Sequence, residues 1–236
     1  MSSSISSPFR RSPLVSWPRE LEGWTASDRL HHLLTSKAAT RVEVGAGSGD
    51  WLVAQAAAQP DVAWVAIEPQ VDRVYHIWSK VQMHRLSNVH ICATDASDVL
   101  RREGGLMKHI IGSLDAIYLR FPFPPSLELR DLARTSPSPD ALLNGAFLAD
   151  AARVLRPLGS LQILTDEPAC CALMLAILQT HPAGSAFRSV HGRDGFAKSG
   201  STPATALDDS FFDAVLADRG RRQAHERYEL DLRKVA

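Results

Sequence analysis

Residues 43–50 read Glu-Val-Gly-Ala-Gly-Ser-Gly-Asp, a glycine-rich turn with an acid two places before its first glycine and another directly after its last. Glycines at Gly45, Gly47 and Gly49 let the backbone pass close to a ligand with no Cβ in the way. The spacing is G-x-G-x-G, whereas a dinucleotide pyrophosphate is seated by G-x-G-x-x-G. Asp50 would also repel a pyrophosphate, and Glu43 suits a cationic group. S-adenosylmethionine carries an ammonium and a sulfonium, and it is the cofactor this pattern predicts. Two further acids fall where its other parts need them. Glu68, nineteen residues after Gly49, ends a second apolar run, and a carboxylate there can accept hydrogen bonds from both ribose hydroxyls. Asp95 follows a third run and can accept from an adenine amino group, while Ala96 offers its backbone N–H. Taken singly, each feature has an ordinary structural reading: a tight turn, a strand-end surface charge, a helix N-cap. Acids at three successive strand ends point instead to one cradle.

Such a cradle needs strands that end together. Short apolar runs at Arg41–Val44, Val62–Ile67, Val89–Cys92, Leu114–Leu119 and Leu161–Leu164 have strand length. Helical patterns lie between them: 51–59, 71–86, 96–108 interrupted near Gly104, 142–155 stopped by Pro157 and Gly159, and 168–179. A short helix at 27–36 precedes them. This alternation predicts an α/β, doubly wound, mostly parallel sheet, with ligands beyond the carboxyl ends of its strands. Residues 192–209 read as a long loop, and 226–232 alternate as a late antiparallel strand at the sheet edge.

Lysine plus arginine and aspartate plus glutamate both number 26, so no wide basic footprint is implied. The three cysteines include no CxxC pair and the histidines are scattered, so neither a disulfide framework nor a metal site is expected. No apolar run approaches membrane-spanning length. Residues 1–25 read as a flexible tail and 26–236 as one domain. The first nineteen residues hold three arginines, several serines and no acid, a composition shared with organelle transit peptides. The cytoplasm is the expected location, with organellar import as the alternative.

Several blocks, in order, resemble the bacterial-type tRNA (guanine-N7-)-methyltransferases, which are class I, Rossmann-like enzymes, and the resemblance implies a seven-stranded sheet with an antiparallel edge strand. Residues 43–49 are similar to that family's E-I-G-x-G-x-G, Ile67-Glu68 to its G-I-E, and Asp95-Ala96 with Val99-Leu100 to its D-A-x-x-x-L. Phe121-Pro122-Phe123-Pro124 sits where the family has F-P-D-P-W. Phe147-Leu148 and Val154-Leu155-Arg156-Pro157 with Gly159 resemble its F-L…L-K-P-G-G block, and Thr165-Asp166-Glu167-Pro168 its T-D block. Residues 210–213 stand for T-K-F-E, and Arg219-Gly220, His225 and Asp231-Leu232 for the ending R-G…H…D-L. The resemblance implies methyl transfer from S-adenosylmethionine to guanine N7 in tRNA. It implies that Phe123 and Asp166 act at the transfer site, and that Asp166, Ser210 and Asp213 contact the substrate. Asp166 could read the guanine Watson–Crick edge or cap the helix that follows it. Phe123 could stack on a base or close an apolar loop.

The chain departs from that pattern twice. Phe123 replaces the acid, and residues 126–140 carry only Arg130 and Arg134 against Glu128, Asp131 and Asp140 where the family has a basic run. These departures keep two alternatives open: a methyltransferase of another substrate, and a non-catalytic partner subunit of the same fold. A protein partner or homo-oligomer also fits. The basic cluster Arg219, Arg221, Arg222 and Arg227 could grip phosphates, although Asp218, Glu226 and Glu229 interleave with it.

Overall fold

The computed structural model describes residues 27–101, 111–122, 142–192, 195–199 and 227–235. Helix α1 (Ser27–Ser36) leads into β1 (Ala39–Val44), the glycine turn and α2 (Asp50–Ala58). Then come β2 (Val62–Ile67), α3 (Val71–Met83), β3 (Val89–Cys92) and α4 (Ala96–Leu100). Strand β4 (Leu114–Arg120), α5 (Gly145–Val154), β5 (Leu155–Thr165) and α6 (Pro168–Thr180) follow. A 3-10 turn (Pro182–Ala186), β6 (Phe187–Ser189), β7 (Ala197–Ser199) and β8 (Arg227–Lys234) complete the described elements.

The strands form one sheet in the order β3-β2-β1-β4-β5-β8-β6, with β7 also paired to β8. Strands β1 to β5 run parallel, and β8 is antiparallel to β5, β6 and β7. The doubly wound, mostly parallel sheet is therefore as expected, with seven strands on its main path. The antiparallel strand lies one place inside the edge, because two short strands pair to it as well: β6, for which the sequence predicts no element, and β7, which falls within the stretch 192–209 read as a loop.

Alternation along the central strands sends side chains to two separate cores. Val42, Val44, Val65, Ile67, Ile117 and Leu119 pack with Leu148 and Val154 of α5 and Met174 of α6. Trp64, Ala66, Val89 and Ile91 pack on the other side with Leu52 and Ala56 of α2 and Val74, Ile77 and Val81 of α3. Spacing of i, i+3, i+7 puts those last three on one helical stripe. Helices on both faces explain why β2 reads as a continuous apolar run.

The helix expected at 142–155 begins at Gly145, where the Asn144 side chain accepts a hydrogen bond from Phe147 N at 2.8 Å. Strand β5 then starts at Leu155, earlier than expected. Its pairing with β4 breaks between Leu114 and Ala116, so residues 156–159 form a bulge with Leu158 at φ 64°. Helix α4 is described only to Leu100, and residues 102–110 lie outside the described residues. So do the tail, Phe123, Ser210, Asp213, Arg219, Arg221, Arg222 and His225.

The strand ends are aligned by a polar clamp with no sequence signature. Asn88, 3% exposed, places its amide nitrogen 3.0 Å from the carbonyls of Ala56, Gln59 and Val62. Its own carbonyl accepts from Trp64 N at 2.8 Å. The clamp fixes where α2 stops and β2 begins. Replacing Asn88 with Ala leaves buried carbonyls unsatisfied and should cost about 2–3 kcal/mol, read as a lower urea midpoint with an unchanged slope.

Candidate functional site

The glycine turn follows β1 and opens α2. Gly49 sits at the helix N-cap with φ 78°, and a Cβ there would meet Ile77 Cγ1 of α3 at 2.7 Å. Gly45 and Gly47 have φ of 70° and 57°, yet a Cβ on either would meet nothing within 4 Å. At Gly49 the absent Cβ permits close helix packing. At the other two it leaves open space beside the backbone.

Three ties hold the turn. Gly45 N and Ala46 N both donate to Ile67 O, at 2.9 and 3.1 Å. Gly47 N donates to Glu68 Oε2 at 2.9 Å, while Gln70 N donates to Oε1 of the same carboxylate at 2.9 Å. Lys80 of α3 donates to Ser48 O at 2.9 Å and to Asp50 Oδ1 at 2.6 Å, and Ser48 Oγ donates to Asp50 Oδ2 at 2.5 Å. Burial alone would raise the Asp50 pKa, but the hydrogen bonds and charge of Lys80, with Ser48, bring it below its ordinary value. Burial raises the Glu68 pKa, opposed by the two backbone donors and by Arg73, whose Nη1 lies 3.9 Å away.

Glu43 sits beneath the turn, 3% exposed, and its Oε2 has no hydrogen-bond partner. Burial pushes its carboxyl up to about 8; Arg120 opposes this, and Asp50 and Glu68 add to it. Glu43, the turn, Asp50, Trp51, Arg73, Lys80, Arg120 and Phe121 line a cavity of about 420 Å³. A buried carboxyl with an orphan oxygen, next to a turn whose Gly45 and Gly47 leave open space beside the backbone, fits a ligand bearing positive charge. Phe121 closes this cavity at φ 48°, a left-handed conformation costly for an aromatic residue, with its N–H donating to Leu164 O at 2.7 Å.

The predicted residues come together unevenly. Glu43, Gly45, Gly47 and Gly49 assemble with Glu68 at the ends of β1 and β2. Asp95 and Ala96 line a separate cavity of about 430 Å³, with Arg101, Asn144, Phe147 and Asp150. The pairing of β2 with β3 links the two regions and is extended by the hydrogen bond from Glu68 N to Cys92 O at 3.0 Å. Asp95 occupies the N-cap position of α4, but its side chain makes no capping bond and is exposed. Asp166 is exposed past the end of β5, and the N-cap of α6 is Glu167, so the capping alternative for Asp166 is overturned. The sequence reading missed Lys80, Arg73, Arg120 and Trp51. Only the helical stripe spacing of Arg73, His76 and Lys80 could have pointed to a face turned toward the glycine turn. Among the described residues, no helix is long and apolar enough to cross a membrane.

Residues 37–199 match the model of a family described as "Putative methyltransferase". A tRNA (guanine-N(7)-)-methyltransferase of Chlamydia felis is 34% identical over 128 residues, 53% of this chain and 50% of that protein. One from Chloroflexus aurantiacus is 34% identical over 142 residues, 60% and 58% of the two chains. The chain spans about half the length of the curated relatives it matches. Among solved structures, the 16S rRNA methyltransferase KamB superposes with TM-score 0.60 at 14% identity, covering 89% of this chain and 94% of that one. A 16S rRNA (adenine(1408)-N(1))-methyltransferase from Catenulisporales acidiphilia, solved with cosubstrate SAM, gives 0.53 at 16% identity, covering 89% and 92%. These likenesses establish the class I methyltransferase fold.

The buried acid makes stability depend on pH in one direction. Its pKa is 4.5 when exposed and about 8 when folded, so the native chain binds a proton that the unfolded chain releases. The stability gained from that proton is complete below pH 4.5 and is lost as pH rises to 8. Glu43→Gln should therefore be more stable than the parent at pH 8.5, by at most about 5 kcal/mol, and the gap should close toward pH 4.5. Denaturation curves across that range check it, and equal shifts at every pH would refute it.

Proposed function

The chain belongs to the methyltransferase family whose model spans residues 37–199, and on that premise we propose that it transfers a methyl group from S-adenosylmethionine to N7 of a guanine in tRNA. The observation that carries the cofactor is the unpartnered Glu43 oxygen beneath the open glycine turn. The acceptor rests on the curated relatives named as tRNA (guanine-N(7)-)-methyltransferases.

When bound, S-adenosylmethionine supplies a methyl carbon made electrophilic by its positively charged sulfur. Glu43 loses its proton to solvent as positive charge arrives, and its carboxylate then gains the partner it lacks. Glu68 is already aimed by Gly47 N and Gln70 N, so its remaining lone pairs can accept the ribose hydroxyls without reorganisation. Asp95 and Ala96 take the adenine edge in this reading. The turn's ties to Ile67, Glu68 and Lys80 hold the cradle still, which is where proximity catalysis gains its several kcal/mol.

Guanine N7 is a lone-pair acceptor on the major-groove edge. It attacks the methyl carbon as the carbon–sulfur bond breaks, the electron pair stays on sulfur, and no proton leaves N7. The residues therefore have to align the base rather than deprotonate it, and loss of the family's acid at Phe123 is compatible with turnover. Phe123 would act by stacking on the base, a contact worth about 1–3 kcal/mol. Asp166, Ser210 and Asp213 are the candidate contacts to the rest of the RNA.

Incubation with labelled S-adenosylmethionine and unmodified tRNA should place label in N7-methylguanosine. Label in another acceptor would give the chain a different substrate, and cofactor binding without turnover would make it a partner subunit. Calorimetric titration of the cofactor should show affinity rising from about pH 6 to pH 8 with proton release, and Glu43→Gln should flatten that profile. Glu68→Ala should weaken binding about tenfold or more, the cost of losing hydrogen bonds to a charged acceptor. A pH-independent affinity in the parent chain would refute the role of Glu43.

A further inference from the structure

A second cavity of about 330 Å³ adjoins the first and shares Trp51 and Arg120 with it. Its walls are unlike those of an apolar core. Trp51 and Tyr118, both half-buried, pack with ring centroids 4.9 Å apart, and Trp64 lies behind them, 5.5 and 5.9 Å from the two. The Arg120 guanidinium sits 4.7 Å from the Trp51 ring centroid. Gln162 and Glu229 form the polar wall, and Arg227 also lines the cavity.

Sheet register explains why these groups meet. Tyr118 of β4 is the register partner of Gln162 of β5, and Gln162 is paired in turn with Asp231 of β8. Glu229 lies two residues from Asp231, so it emerges on the same face of the sheet. No helix is needed to bring them together, because three adjacent strands do it.

The geometry points to this slot as the site that holds the guanine acceptor, with Glu229 and Gln162 reading its Watson–Crick edge. This inference rests on guanine being the acceptor, as proposed above. Aromatic walls with a guanidinium suit a planar base, and a cavity of this size lies at the small end of ligand sites. The two oxygens of Glu229 accept the N1–H and the 2-amino group, and the Gln162 amide donates to O6. Adenine is rejected because its N1 is an acceptor and would face the Glu229 carboxylate. Gripping this edge leaves N7, on the other edge of the ring, directed away from Glu229. Arg120 and Arg227 supply positive charge for the nucleotide's phosphate. Asp166, the residue expected to read this edge, lines none of the three cavities described.

The test compares equilibrium binding of guanosine 5′-monophosphate, inosine 5′-monophosphate and adenosine 5′-monophosphate to the full chain. Inosine lacks only the 2-amino group, so the comparison alters the ligand and leaves the fold intact. The parent protein should prefer the guanine nucleotide over inosine by about fivefold or more, as expected for one hydrogen bond to a charged acceptor. It should bind the adenine nucleotide more weakly still. Glu229→Ala should erase the guanine–inosine preference, with an unchanged melting temperature and unchanged S-adenosylmethionine affinity. No binding of the guanine nucleotide, equal binding of guanine and inosine nucleotides, or a preference that survives Glu229→Ala would each overturn the assignment. Binding is read without turnover. Intact discrimination with no methylation of tRNA would therefore remove the proposed reaction and keep the slot, and methylation with no discrimination would do the reverse.

Discussion

Strand alternation forces Glu43 into the protein. Val42 and Val44 on either side of it point into one apolar core, so the side chain between them faces the other layer, beneath the glycine turn. A carboxylate in that position loses its hydration, and one of its oxygens finds no donor in return. A buried ion without a partner costs several kcal/mol, and the group escapes most of that by keeping its proton. A neutral residue would relieve the strain altogether. The acid is therefore a standing penalty on the fold, and its compensation has to come from something that is not part of the chain.

The surrounding structure keeps that penalty from being relieved by movement. If the turn could relax, water or a backbone N–H would reach Glu43. Instead the turn is pinned at its start by Ile67 O, at its middle by Glu68 and at its end by Lys80. Gly49 presses against Ile77 too closely for any side chain, so α2 and α3 cannot slide apart without opening a hole. Lys80 also neutralises Asp50, a half-buried carboxylate that lines the same cavity. Arg120 lowers the Glu43 pKa, but burial raises it by more. The result is a cradle held at three points, with a Glu43 oxygen left unpartnered.

The parts of this arrangement that the sequence displays are those governed by local rules. A period of two along β1 to β5, a period near 3.6 along α3, and glycines at the turn are all nearest-neighbour patterns, and the parallel sheet and the positions of Glu43 and Glu68 follow from them. What the sequence conceals depends on contacts between distant segments. Lys80 reads as one more solvent-facing base until α3 folds back over the turn. Asn88 sits in an unremarkable Ser-Asn-Val stretch, and its three carbonyl partners come from an earlier part of the chain. Strand β8 could be foreseen, but its place inside the edge depends on β6 and β7, which are three residues each and too short to show a period. The Asp95 carboxylate was legible as a strand-end acid, whereas its separation from Glu43 depends on how α4 and α5 pack.

Arg120 and Trp51 matter more than either cavity considered alone, because they belong to both. A wall shared by a cation-seeking cradle and an aromatic slot brings whatever occupies one close to whatever occupies the other. The proposed methyl transfer to guanine N7 asks for little beyond this. Attack by N7 moves no proton, so no residue has to serve as a base, and the acid missing at Phe123 removes a contact rather than a chemical step. What remains necessary is a base plane held at a fixed distance from a fixed methyl carbon. Rigid parts meet that need: strands β4, β5 and β8 for the slot, and a turn tied at three points for the cradle. Phe121 bridges them by adopting a left-handed backbone at the end of β4, hydrogen-bonded to β5 and with its ring 6.0 Å from the Arg227 guanidinium. Phe121 lines the cradle and Arg227 lines the slot, so their contact ties the two cavities together at the end of β4.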